Sequence, residues 1–225
     1  MNTALLDLRR MDCMNLMREF PDGWFDLAIV DPPYGISATR MGMGSGFSGG
    51  KYRNRLSQGS GKLKGRALQA LNSDWDAHPP KQEYFDELRR VSKAQIIWGG
   101  NYFPLPPTRC VVCWDKLQPW ENFSQWEMAW TSFNGPAAIF RASNSGSYNP
   151  KIHPTQKPVK LYSWLLNKFA KPGHRILDTH LGSGSSAIAC SEFGAHLTGC
   201  EIDLGYFEAA CARIKRETTQ TTFPL

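Results

Sequence analysis

Asp31-Pro32-Pro33-Tyr34 follows the apolar run Leu27-Ala28-Ile29-Val30 and so sits at the carboxyl end of a buried strand. Open α/β sheets bind ligands and do chemistry at such strand ends. Two consecutive prolines remove two backbone donors and stiffen the turn, leaving the neighbouring carbonyls free to accept hydrogen bonds from another molecule. An acid, free carbonyls and an aromatic face within four residues suit a planar base with an exocyclic amino group. The Asp31 carboxylate and the Pro32 carbonyl would take the two N–H bonds, and Tyr34 would stack on the ring. Asp31, Pro32, Pro33 and Tyr34 are therefore the candidate catalytic residues. The amino lone pair is delocalised into the ring, so its nitrogen becomes nucleophilic only when both hydrogens are held in a geometry that favours a pyramidal centre.

A second constellation, Ile176-Leu177-Asp178-Thr179-His180-Leu181-Gly182-Ser183-Gly184-Ser185-Ser186, precedes the helical run Ala187 to Phe193 and an apolar stretch ending at Glu201. It reads as strand, glycine turn, helix, strand, acid. Glycines let a ligand approach the backbone, and an acid closing the next strand is placed to accept ribose hydroxyls. Gly-Ser-Gly alone also fits a dinucleotide site or a tight turn without a ligand. The full G-x-G-x-x-G is absent, because Ala187 stands at the third glycine position. A cofactor with a nucleoside but no phosphate is therefore preferred, and S-adenosylmethionine is such a molecule.

With these motifs the chain resembles the β-class amino-directed DNA methyltransferases, which modify adenine N6 or cytosine N4. The resemblance extends to Met11-Asp12-Cys13 ahead of the strand that leads into Asp31 and to His153-Pro154-Thr155-Gln156-Lys157-Pro158 before the glycine turn, with the catalytic half preceding the cofactor half. It implies a single Rossmann-like methyltransferase domain over 1–225 and a target nucleotide flipped out of double-stranded DNA. It also implies that Asp12 meets the adenine amino group of S-adenosylmethionine and Glu201 its ribose. Asp178, Gly182, Ser183 and Gly184 would meet the methionine end, and Thr155, Gln156 and Lys157 the carboxylate. Cys13, His180, Ser185, Ile202 and Asp203 complete the implied cofactor set. Thr179-His180 departs from the Pro-Phe pair usual after that acid. Cytosine-N4 members more often begin the tetrapeptide with Ser, so Asp31 favours adenine. Cytosine N4 is the alternative, followed by an RNA amino methyltransferase or a DNA-binding protein without activity. No cysteine nucleophile is required.

The 225 residues carry a net charge of +6 that is unevenly spread. Gly35 to Ser73 contains no acid but holds Arg40, Lys51, Arg53, Arg55, Lys62, Lys64 and Arg66 among many glycines, so the remainder nets −1. A basic, glycine-rich loop next to the catalytic strand is expected to be flexible and to meet DNA phosphates. By resemblance the target-recognition segment lies at 117–151, where Arg141, Asn144, Tyr148 and Lys151 are the types that read bases or phosphates. The sequence lacks a run of about 18 apolar residues, a length that would read as a membrane span. The N-terminus lacks the apolar core of a signal peptide, which leads to a cytoplasmic expectation. Six scattered cysteines read as reduced thiols. Cys110-Val-Val-Cys113 is half a zinc spacing on a β-like stretch, whose two thiols should face opposite ways, so no metal is expected. A second copy of the chain is a candidate partner. A stand-alone enzyme of this kind fits a phage, an orphan or a restriction-modification role.

The elements that must position these groups alternate. Leu5 to Arg10, Phe25 to Val30, Ala94 to Trp98, Ile176 to Asp178 and His196 to Cys200 read as strands. Helices are expected over Asp12 to Phe20, Pro80 to Lys93 and Tyr206 to Arg216, and through a stripe of Val159, Tyr162, Leu165, Leu166 and Phe169. Such alternation specifies an α/β, doubly wound, mostly parallel sheet, with inserted DNA-recognition loops.

Overall fold

The computed structural model describes residues 4–36, 76–118, 124–143 and 152–219. The basic residues Arg40, Lys51, Arg53, Arg55, Lys62, Lys64 and Arg66, together with Asn144, Tyr148 and Lys151, lie outside the described residues. In chain order the elements are β1 (Leu6–Arg10), α1 (Cys13–Arg18), β2 (Leu27–Val30), α2 (Gln82–Val91), β3 (Gln95–Trp98), β4 (Val111–Asp115), β5 (Trp126–Thr131) and β6 (Ala138–Arg141). They continue with α3 (Val159–Phe169), β7 (Arg175–Asp178), α4 (Ser185–Phe193), β8 (His196–Glu201) and α5 (Leu204–Thr219).

Among the described residues one eight-stranded sheet runs β1-β8-β7-β2-β3-β5-β4-β6. The first five strands in that order are mutually parallel, β5 is antiparallel to both of its neighbours, and β6 returns parallel to β4. Side chains alternate across each strand, so β2 sends Leu27 and Ile29 to one face and Ala28 and Val30 to the other. On the first face Leu161, Leu165 and Leu166 of α3, Ala187 and Ile188 of α4, and Ala210 and Ile214 of α5 close a core. On the second, Leu16 and Met17 of α1 pack beside Tyr84, Phe85, Leu88 and Val91 of α2. Burial on both faces is why the parallel strands read as continuous apolar runs rather than alternating ones.

This layering fixes where ligands can sit. From β7 the chain moves through α4 to β8 on one side, and from β2 it moves through α2 to β3 on the other. β7 and β2 are adjacent, so strand order reverses between them and a crevice opens beyond their carboxyl ends. Asp178 closes β7 and Asp31 follows β2. Both sequence motifs thus arrive at one switch point although 147 positions separate the two acids.

Candidate active site

A cavity of about 490 Å³ occupies that crevice. Its wall contains Asp12, Cys13, Asp31, Pro33, Thr155, Gln156, Lys157, His180, Gly182, Ser183, Ser185, Glu201, Ile202 and Asp203, all candidates from the sequence. Asp12 is also the N-cap of α1, where its Oδ1 accepts the backbone N–H groups of Met14 and Asn15 at 2.9 and 3.1 Å. The cap uses only one carboxylate oxygen, so capping and ligand recognition are compatible. Glu201 Oε2 accepts the Gly182 N–H and Oε1 the Asp203 N–H, each at 3.0 Å. Those two bonds hold the carboxylate against the glycine turn with acceptor capacity left for hydroxyl donors. Burial raises its pKa, with these backbone donors opposing the shift.

Two residues of the glycine motif do different work from that expected. Asp178 is absent from the cavity wall, and both its oxygens are used internally: Ser186 Oγ donates to Oδ2 at 2.5 Å and the His180 N–H to Oδ1 at 3.1 Å. Its role is to shape the turn, and burial pushes its carboxyl up to about 6. Gly184 faces the protein interior. It caps α4 with φ +74°, and a Cβ there would lie 2.7 Å from Ile214 Cδ1, so its small size serves helix packing. Arg213 of α5 holds the same turn from behind by donating to the Ser183 carbonyl at 3.0 Å and to Ser185 Oγ at 2.9 Å.

Around Asp31 the structure builds a buried ion network. Tyr34 Oη donates to Asp31 Oδ1 at 2.6 Å, and Lys157 Nζ donates to Oδ2 at 2.5 Å. Lys157 is 3% exposed and its ammonium also lies 3.1 Å from Glu127 Oε2 on β5, whose Oε1 pairs with Lys116 at 2.6 Å. The Lys157 side chain thus turns toward Asp31 and Glu127, a role different from the cofactor-carboxylate contact implied by resemblance. Two carboxylates and two ammonium groups balance, as burial requires. The carboxylates shift in opposite directions for a simple reason. Burial raises both, but Glu127 lies between Lys157 and Lys116 and falls to about 2, whereas Asp31 has Lys157 alone, is repelled by Glu127, and stays raised. Lys157 loses by burial but gains more from its two carboxylates, so its pKa is raised.

Residues 94–212, a little over half of the chain, match the family model described as DNA methylase for N6 and N4 targets. The chain belongs to the N6/N4 DNA methylase family. This methylase is therefore an amino-directed DNA methyltransferase that depends on S-adenosylmethionine. The match runs from the start of β3 into α5 and so includes Glu127, Lys157 and the glycine turn, whereas Asp31 to Tyr34 lie upstream of it. The methylase is similar to the putative methylase YubD of Escherichia coli (strain K12), with 24% identity over 90% of this chain and 87% of that protein. It shares its fold with M1.HpyAVI in complex with S-adenosylmethionine (TM-score 0.59, 16% identity, 93% of this chain and 99% of that one). The cytosine-N4-specific PvuII DNA methyltransferase is equally similar in fold (TM-score 0.59, 12% identity, 97% and 93%).

The cavity suits the family's cofactor on its own geometry. A capping carboxylate with a spare oxygen at one side, an acid fixed by two backbone N–H groups, and a turn with Gly182 at φ +52° meet across a space large enough for a nucleoside carrying an amino acid. His180 stands where the methylase departs from Pro-Phe. It packs edge-on to Tyr84 at 5.6 Å, and burial holds its imidazole down at about 4, so a neutral ring fills the position of the missing aromatic.

Several site residues carry weak signals in the sequence. Tyr206 and Tyr162 line the cavity through helix faces that otherwise read as core. Asp76 is buried and its Oδ1 accepts the N–H groups of Tyr34 and Gly35 at 2.7 and 3.0 Å, fixing the turn after the tetrapeptide from 42 residues away. Glu127 had one available clue, an acid inside the apolar strand Trp126–Thr131. Arg141 is 64% exposed at the far edge strand β6 and lies 3.4 Å from Asp115, the only proposed DNA contact among the described residues.

Tyr34 stacks on Tyr102 with centroids 4.9 Å apart and planes 15° from parallel, and Gly99 lies against its ring. Gly99 has φ +70°, and a Cβ there would fall 2.2–2.6 Å from three Tyr34 ring atoms. Gly99→Ala is therefore expected to displace the Tyr34 ring and break its bond to Asp31. The left-handed conformation alone costs about 1–2 kcal/mol for a residue with a Cβ. Thermal unfolding should show a clear loss of stability, and turnover should fall with it; an unchanged midpoint and rate would remove Gly99 from the support of Tyr34.

Proposed function

We propose that this methylase transfers a methyl group to N6 of an adenine flipped from double-stranded DNA. The reading is carried by a partly buried carboxylate, Asp31, on the wall of the cofactor cavity at the switch point of the sheet. S-adenosylmethionine supplies an electrophilic sulfonium methyl when bound. Asp31 accepts a hydrogen bond from one hydrogen of the target amino group and the Pro32 carbonyl one from the other, which localises the lone pair on nitrogen; once methylated, the nitrogen gives its surplus proton to the Asp31 carboxylate. Tyr34 fixes Asp31 through its hydroxyl, and the Tyr34–Tyr102 stack, with Tyr102 exposed, supplies an aromatic surface to replace stacking lost from the duplex. Asp12 and Glu201 hold the nucleoside of the cofactor, and Thr155 with the glycine turn holds its amino-acid end. The tetrapeptide begins with Asp rather than Ser, which supports adenine over cytosine N4. The basic segment 35–73 and Arg141 supply phosphate contacts.

Expression in a host without DNA methylation, followed by sequencing that distinguishes modified bases, tests this reading. N6-methyladenine at one defined sequence is the expected outcome. N4-methylcytosine would replace the adenine assignment, and unmodified DNA despite cofactor binding would remove the activity.

A further inference from the structure

In the free protein both Asp31 oxygens already have a donor: Tyr34 Oη at 2.6 Å and Lys157 Nζ at 2.5 Å. Each oxygen keeps a second lone pair, but a target amino group that binds along the Oδ2 lone pair held by Lys157 must displace that ammonium. Lys157 is deeply buried and cannot reach bulk water when its bond to Asp31 is replaced. One acceptor lies ready. Glu127 Oε2 is a buried carboxylate oxygen that accepts no aligned hydrogen bond, although the Lys157 ammonium is only 3.1 Å from it. A buried carboxylate oxygen in ion-pair contact with an ammonium whose aligned hydrogen bond goes to a different carboxylate requires an explanation.

We propose that Glu127 is a positioning residue for methyl transfer, receiving the Lys157 ammonium when the amino group of the target base replaces it on Asp31. The inference rests on the reading above that Asp31 accepts the target amino group. No covalent bond changes and no proton moves in this step: Lys157 keeps its three hydrogens and exchanges one carboxylate oxygen for another. Charge stays balanced in both arrangements, because Lys116 anchors the other oxygen of Glu127. The path is short and flanked by ring faces, with Trp98 5.2 Å and Tyr34 5.9 Å from the ammonium, and these favour the cation at either end. Glu127 is held in register by β5, where it pairs with Trp114 of β4.

The test uses the full chain with duplex DNA containing its target sequence. In the double variant Lys116→Met with Glu127→Gln, no second ammonium is stranded, and Lys157 remains paired only with Asp31. Expected is a fall in kcat of about 10- to 100-fold, with the cofactor Kd unchanged, because Glu127 is not on the wall of the cofactor cavity. Glu127→Asp alone should restore most of the rate, since it returns the charge. Undiminished kcat in the double variant would overturn the proposal. So would a rate loss matched by weaker cofactor binding, or one that Glu127→Asp does not relieve, since either marks a structural role. A wild-type protein that binds cofactor but methylates no DNA would instead bring down the underlying reading of Asp31.

Discussion

Asp31→Ala is expected to lower the rate of methyl transfer by at least about 10³-fold, equivalent to about 4 kcal/mol of transition-state stabilisation, while DNA and cofactor binding persist. The expectation follows from where the carboxylate acts. Its hydrogen bond to the target amino group strengthens as nitrogen loses conjugation with the ring, so its contribution belongs to the transition state and not to the bound ground state. The fold should survive, because removing Asp31 also removes the cost of burying it, and Lys157 retains Glu127 and the ring faces of Trp98 and Tyr34. Cofactor Kd by calorimetry and single-turnover rates on target DNA separate the two effects. A variant that methylates at the wild-type rate would end the assignment of Asp31 as the amino-group acceptor.

Lys157→Met has the second largest expected effect, and its signature is a changed pH dependence. Burial raises the Asp31 pKa, Lys157 lowers it, and Glu127 raises it. Deleting the ammonium removes the main opposing influence, so the carboxyl must bind its proton up to a higher pH than in the wild-type protein. The active form is the carboxylate, which places the acidic limb of the rate profile at that pKa and moves it toward alkaline pH in the variant. At neutral pH turnover should drop by about 100-fold, corresponding to about 2.7 kcal/mol, with partial recovery as pH rises. A kcat profile parallel to that of the wild-type protein, however reduced, would show that Lys157 does not control the ionisation of Asp31.

The places where the sequence spoke clearly share a physical property, which is that their signals are local. Apolar runs at Leu27–Val30 and Ile176–Asp178 are buried on both faces, the stripe through Tyr162, Leu165 and Leu166 follows a helical period, and glycines mark turns that a side chain would block. These elements appear as expected within a few residues, and with them the parallel part of the sheet. Strand β5 escaped because an antiparallel insertion needs no helical crossover and therefore leaves no strand–helix alternation to read. For the same reason the segment 117–151, expected to recognise the target, contributes two strands to the sheet. It also contributes Glu127, whose charge lies beside the catalytic acid.

By itself the sequence determined the chemistry available: an acid before two prolines, a glycine turn between strands, and a second acid closing the next strand, each defined by neighbours within a dozen positions. Only the tertiary structure decided how those groups are used. It turned Asp178 and Gly184 inward to build the turn, set Asp76 under the backbone of Tyr34, and gave Asp31 a buried ammonium from a segment 126 residues away. Charges separated that far along a chain influence one another only after folding brings them within a few ångströms and excludes water, where their interaction is many times stronger than in solvent. No pattern of nearby residues encodes that proximity, so it had to come from the fold.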